Sequence, residues 1–344
     1  MNNFENRINE WMDIARQHGA IFDNMVFAQE PWGIKAIAPK PEKPSRIRMP
    51  ENLLIEREGI ELTENDQQVL MQYCENEEAR KLLNEILGYI MNAARIHSTR
   101  EFYEGFSTLP EILKIRLNNM GLTTNLIEDQ PLTNTQIKER LLQARVIKHK
   151  TKKTVFMPFV DFINHDPSGI SFDMQQSAIV IQGNALSNGE IYAIYSNADP
   201  FHLLNTYFYP GKSHFAYSVA FTFTLPDGLE VTIGRRFAEF DMTDTGLRLP
   251  KIEKDKIVHL SNVWIGSPMT PRKPYWSFEK AWQSLGRDDA FKVWSMICRF
   301  NWVKLVEILR LAEEVDSPTG KMVRTALIEQ MTIFAETLTE IEQL

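Results

Sequence analysis

With 344 residues, 38 Lys+Arg against 45 Asp+Glu and a net charge of −7, the chain has the length of roughly two domains and lacks the basic field that non-specific nucleic-acid or anionic-membrane binding needs. No apolar run approaches the roughly 20 residues that span a bilayer, and the opening MNNFENRINEW has no basic flank followed by an apolar core. The two cysteines, Cys74 and Cys298, offer neither a disulfide framework nor metal-ligand spacing, so a reduced, cytoplasmic monomer is expected, with room for a protein partner.

Phe4, Ile8, Trp11, Met12 and Ala15 recur at helical spacing and Gly19 is a natural stop, which predicts an N-terminal helix. WGIKAIAPKPEKPSRIRMPENLLI carries four prolines among alternating apolar residues and predicts short edge strands and turns. Next, Ala79, Leu82, Leu83, Ile86, Leu87, Ile90, Met91 and Ala94 follow the rhythm of an amphipathic helix. Thr63 with Asp66 and Thr133 with Gln136 read as capping boxes of two further helices. TVFMPFVDFI, AIVIQGNAL, IYAIY and FAYSVAFTFTL then read as strands between Gly, Asn, Asp and Pro turns. The last part is helical, with WVKLVEILRLAEEV and VRTALIEQMTIFAETLTEI joined by a turn at SPTG. There is no internal repeat. The order β, helical insert, β, helices is an α+β plan, not βαβ alternation.

Single motifs carry little. Asn164-His165 alone reads as a turn, Tyr195 alone as a packed strand aromatic, and Gly189-Glu190 alone as a hairpin. Their order is more specific: Asp161 stands three residues before Asn164-His165, Gly189-Glu190-Ile191 leads a strand to Tyr195, and Tyr207, twelve residues after Tyr195, follows Leu203-Leu204. On these residues the chain resembles the SET-domain protein methyltransferases of the Rubisco large-subunit methyltransferase type. The resemblance extends to Arg145 in LLQARVIK, to the WGIKAIAPKP hairpin, and to Trp11 with Gly19-Ala20. Residues 8–50 and 140–210 carry it well; the insert and the C-terminal helices match by position and type.

The resemblance implies a SET fold of short curved sheets around a threaded segment, within an α+β class. It implies a SET domain over 1–212 with a helical insert at about 52–142, and a mainly helical domain over 213–344 that docks a protein substrate. The implied cofactor is S-adenosyl-L-methionine, with Asn164, His165, Arg145, Gly33 and Lys35 as its binding residues. An Asn amide suits an adenine edge because it both donates and accepts, and a guanidinium fork suits the methionyl carboxylate. Tyr195 and Tyr207 are the implied catalytic residues, one at the methyl-transfer centre and one walling the acceptor channel, where an aromatic suits a cationic stem. Alignment of the reactants is worth roughly 7–11 kcal/mol. A lysine acceptor must also lose its proton, at a cost of about 4.6 kcal/mol near pH 7, which burial beside a positive sulfonium reduces.

The chain departs from the family where Pro31-Trp32-Gly33 replaces a Gly-x-Gly turn, where Asp199-Pro200 replaces Ser-Asn, and where Ser196 and Phe208 replace glycines. Proline lacks an N–H and fixes φ, which puts the cofactor contact of that hairpin in doubt. The leading expectation is a protein-lysine methyltransferase, with a catalytically impaired SET-like binding module and a histidine-specific methyltransferase as alternatives. GKS at 211–213 lacks the upstream glycine of a phosphate loop. The run KHKTKK reads as a solvated loop, and Trp276, Trp282, Trp294 and Trp302 as core residues of the last domain.

Overall fold

In the computed structural model, which describes residues 3–30, 33–123, 126, 130–150, 153–195, 198–234, 251–253, 257–260 and 263–341, the first apolar stripe forms the helix Asn3–Gln17. Ile8, Trp11, Met12 and Ala15 are its buried face, and Gly19 ends it at φ 92°, in the left-handed region glycine favours. The chain divides into two units, Met1–Glu101 with Pro131–Ser196 and Phe102–Gln130 with Asn197–Leu344.

The first unit is built from short sheets. One runs in the order Ile21–Asp23, Ser45–Pro50, Ala178–Gly183, Phe172–Met174, antiparallel throughout. A second runs Asn164–Ile170, Glu190–Ala193, Gly33–Ile37, Val26–Glu30. The proline-rich stretch thus yields two interior strands, not edges, because Pro39, Pro41 and Pro44 fall in the turn between them and Pro50 only closes the second. Between the sheets lies an aromatic core: Trp11 stacks on Phe162 with centroids 6.5 Å apart, and Phe159 meets Phe22 edge-on at 5.0 Å.

The helical insert begins later than its sequence suggests. Residues 51–73 form 3-10 turns and the hairpin Ile60–Leu62 with Gln67–Val69, and the first helix is Glu77–Ile90, capped by Asn76. Thr63 and Asp66 therefore close a hairpin, not a helix: the Thr63 hydroxyl accepts from the Asp66 N–H at 3.0 Å, a local bond that serves turns as well as caps. Thr133 and Gln136 do form a capping box, at the start of Asn134–Gln143. The apolar rhythm overran at Ala94, which is exposed beyond the break at Met91-Asn92.

The second unit holds the sheet Phe221–Thr224, Glu230–Ile233, Ile257–Leu260, Lys251–Glu253, the pair Ala216–Tyr217 with Trp264–Gly266, and the helices Glu111–Asn119, Pro200–Tyr207, Arg272–Gln283, Ala290–Glu313 and Pro318–Ile341. Pro318 starts the last helix, so SPTG is part turn and part first helical turn, as proline at that position allows. The α+β class expected from the sequence is what the structure has: small sheets, and a C-terminal region in which helices predominate. No helix among the described residues is long and apolar enough to cross a membrane. Trp282 and Trp294 are core residues, whereas Trp276 is 55% and Trp302 38% exposed. Trp276 lies off the buried row Pro274, Phe278, Trp282, and Trp302 sits at the rim against Phe334.

Arg287 joins Asp289 through two hydrogen bonds, at 3.0 and 2.6 Å, and the Trp282 indole N–H donates to Asp289 at 2.8 Å. The Arg287 bonds first, and then the indole, hold the Asp289 carboxyl down to about 2. A depressed folded-state pKa stabilises above the unfolded value of about 3.9 and loses that effect as pH falls through the folded one. Urea unfolding of Asp289→Asn against wild type should show a deficit that is constant above about pH 5 and shrinks toward pH 2. A deficit independent of pH would leave Asp289 uncharged in the account of acid stability.

Candidate active site

The sheet ending in Asn164–Ile170 assembles most of the candidate residues. Glu190 pairs with Ile37 and Ile191 with Ala36 in antiparallel register, while Asn164 and His165 pair with Tyr192 and Ala193 in parallel. Side chains alternate across a strand, so the register sorts the residues by face. Ala36, Ile191 and Ala193, each fully buried, lie on the core face with His165. Lys35, Glu190, Tyr192 and Asn164 take the other.

The contacts agree with this sorting. The Asn164 amide donates to the Glu190 carboxylate at 2.8 Å. The Lys35 ammonium pairs with Glu30 at 2.5 Å, and this bond lifts Lys35 above its ordinary range against a small desolvation effect. Burial first, and then Glu190, raise the Tyr192 phenol. Gly33 opens its strand at φ 153°, and a Cβ there would meet nothing within 4 Å, so the backbone is bare on that side. Pro31 and Trp32, on which the altered hairpin turns, lie outside the described residues, as do Ser196, Thr151 and Lys152. Gly169 has no such freedom: a Cβ would lie 2.8 Å from the Tyr192 carbonyl carbon and oxygen, so only glycine lets the chain loop back over this strand.

On the other face His165 and Tyr195 interlock. His165 Nδ1 lies 3.1 Å from the Tyr195 backbone N–H and 3.2 Å from the Ala193 carbonyl oxygen, so it accepts from the first or donates to the second according to the tautomer of the ring. The two rings are 5.3 Å apart. The Tyr195 hydroxyl donates to the Ile163 carbonyl at 2.5 Å. With its one proton placed there, the oxygen offers lone pairs as an acceptor to anything beside it.

Immediately before Ile163 runs a single 3-10 turn, Val160–Phe162. Its N-cap, Phe159, is wholly buried and held at φ 67°, a conformation costly for a bulky residue and concentrated at functional sites. Asp161 on this turn is only 11% exposed and takes a different arginine on each oxygen: Arg145 Nε at 2.5 Å on Oδ1 and Arg95 Nη1 at 2.5 Å on Oδ2. Arg145 also donates through Nη1 to the Leu141 carbonyl at 2.7 Å. Arg95, at the start of Ala93–Ser107, has its guanidinium 5.5 Å from the centre of the Tyr89 ring. Burial opposes its charge, but Asp161 more than offsets this, with smaller contributions from Tyr89 and Tyr195, and its pKa stands above the usual value.

Gly33, Lys35, Arg145, Asn164, His165 and Tyr195 thus fall in one unit, with Asn164 and the His165 ring on opposite faces of the sheet. Tyr207 belongs to the second unit, at the end of the helix Pro200–Tyr207 and 6.5 Å from the His202 ring. There Asp199 is the N-cap and Pro200 the first helical residue, so the Asp-Pro pair serves to start this helix. Phe208 takes the left-handed position after the helix, at φ 67°, where a glycine would be unstrained, and its ring packs on Phe102 and Tyr103. In the KHKTKK run, His149 is buried with Nε2 2.9 Å from the Gln175 carbonyl oxygen, Lys153 pairs with Glu56, and Lys148 and Lys150 are exposed. Arg95 and Tyr89 were not singled out from the sequence: Arg95 lies 66 positions from Asp161, with no local pattern to tie them.

No family model matches the chain. An uncharacterized protein of Aquifex aeolicus (strain VF5) is 37% identical over 121 residues, which are 34% of this chain and 98% of that protein. A solved structure described as the SET domain of LSMT bound to lysine and AdoHcy aligns with a TM-score of 0.41 and 14% identity, covering 99% of this chain and 92% of the other.

Proposed function

We propose that this chain, which belongs to one family with the Aquifex aeolicus protein, is an S-adenosylmethionine-dependent protein methyltransferase of SET architecture whose acceptor is a lysine side chain. The observation that carries this reading is the Tyr195 centre. Arg95 and Arg145 meet Asp161, two residues before Ile163, whose carbonyl takes the Tyr195 hydroxyl proton beside His165, so the oxygen stands as an acceptor for the amine and for polarised C–H groups.

The first unit has groups that fit the adenosyl part of the cofactor. Asn164 presents an exposed amide, His165 its backbone, and Gly33 a strand end whose Cβ space is open. Arg145 enters through a guanidinium of which Nε and Nη1 are already engaged, and Lys35 through an ammonium held by Glu30. S-adenosylmethionine, when bound, supplies a methyl carbon on a positive sulfonium. The protein's part is to hold the amine nitrogen in line, keep its lone pair free, and accept through Tyr195 without exchanging a proton. In this reading the second unit docks the protein substrate, and Tyr207 is the second candidate catalytic tyrosine.

Calorimetry with S-adenosylhomocysteine tests the cofactor part. Binding by the wild type, weakened about 10-fold in Asn164→Ala for the loss of roughly 1.4 kcal/mol, is the expected result. No binding at millimolar ligand would favour the second reading, a SET-like protein-binding scaffold, for which Arg145's commitment to Asp161 and Leu141 speaks.

A further inference from the structure

We propose that Arg95 is a further positioning residue of the Tyr195 centre, placed to give that centre one net positive charge and so to make it take its acceptor as a neutral amine. The proposal rests on the reading of Tyr195 given above. It begins from a redundancy. Asp161 is a single buried carboxylate, and Arg145 alone would neutralise it. A second guanidinium from a different helix, only 26% exposed, adds a charge the pair does not need: two arginines and one aspartate sum to +1.

Among the described residues, Asp161 holds Arg95 and Arg145, the Tyr89 phenol lies beneath Arg95, and the His165 ring stands beside Tyr195. Tyr89 is raised by burial and carries no charge near neutral pH. The Arg95 backbone N–H donates to the Asn92 side chain at 3.0 Å, which fixes the helix start, and the guanidinium itself is held between Asp161 and the Tyr89 ring. A positive charge held in a half-buried site disfavours a second one beside it, and an ammonium entering there is pushed toward the amine whose lone pair must attack. The proton goes to solvent before transfer; no side chain of the centre takes it.

The charge can be read without any acceptor, on the Tyr195 phenol. Full-length protein carrying 13Cζ-tyrosine would be titrated by NMR, with the Tyr195 signal assigned by its loss in Tyr195→Phe. Arg95→Met removes the positive charge and should raise the Tyr195 midpoint by roughly half a pH unit or more. Asp161→Asn removes the negative charge and should lower it by a similar amount. Arg95→Lys, which keeps the charge, should stay near the wild type, and it serves as the folded control. Both substitutions loosen the same turn, so a purely structural role would move the two midpoints in the same direction; that result, or no movement in Arg95→Met, would overturn the proposal. S-adenosylhomocysteine calorimetry on the same samples keeps the two ideas apart. Opposite shifts without cofactor binding would retain the charge and remove the methyltransferase reading, whereas binding with shifts of one sign would do the reverse.

Discussion

Replacing Asp161 with alanine should lower the stability of the chain by about 3–5 kcal/mol, the range found when one partner of a buried ion pair is deleted. The size follows from the geometry. Asp161 is the common acceptor of Arg95 and Arg145, each within 2.5 Å, and its loss leaves two guanidinium groups, 26% and 15% exposed, facing each other across an empty position. It also frees a turn whose cap, Phe159, is held at φ 67° and whose Phe162 packs on Trp11, Phe27 and Tyr89. Equilibrium unfolding in guanidinium chloride measures this directly. A deficit below about 1 kcal/mol, the range of a solvated surface pair, would show that the clamp does not hold the turn.

Tyr195→Phe has the opposite profile. The substitution keeps the ring against His165 and removes the hydroxyl oxygen proposed as the acceptor for the amine. Methyl transfer should fall by about 10-fold or more, that is by at least 1.36 kcal/mol of barrier. Affinity for S-adenosylhomocysteine should stay within about twofold, and stability should drop only by the roughly 0.5–1.5 kcal/mol of one hydrogen bond. A mutant with full turnover would take Tyr195 out of the chemistry and leave Tyr207 as the candidate.

The parts of this arrangement that are local in the chain were legible in it. The buried stripe Ile8–Trp11–Met12–Ala15, the helix from Ala79 to Ile90 and the Thr133–Gln136 cap each follow from periodicity or side-chain spacing over a few residues. What failed was also local, and failed for a physical reason. The Thr63–Asp66 bond is the same in a hairpin as at a helix start, so spacing alone does not choose, and prolines break a strand only when they lie inside it, so those in the turn after Ala38 do not mark edges. The site was half legible. Asn164, His165, Glu190 and Tyr195 are gathered by one sheet, and their order in the chain pointed to them. The opposite facing of Asn164 and the His165 ring needed the register with Tyr192 and Ala193. Arg95 could not be found at all, because a helix-start arginine acquires meaning only when Asp161 is brought against it.

The most direct test of the central claim is to incubate the purified chain with methyl-labelled S-adenosylmethionine and a lysate of its own source, then map the label by mass spectrometry. Label on lysine residues of one or a few proteins, lost in Tyr195→Phe, is the predicted result. Label on histidine would keep the enzyme and change its acceptor. Label found only on nucleic acid or small molecules, or cofactor binding with no label transferred at all, would contradict the claim.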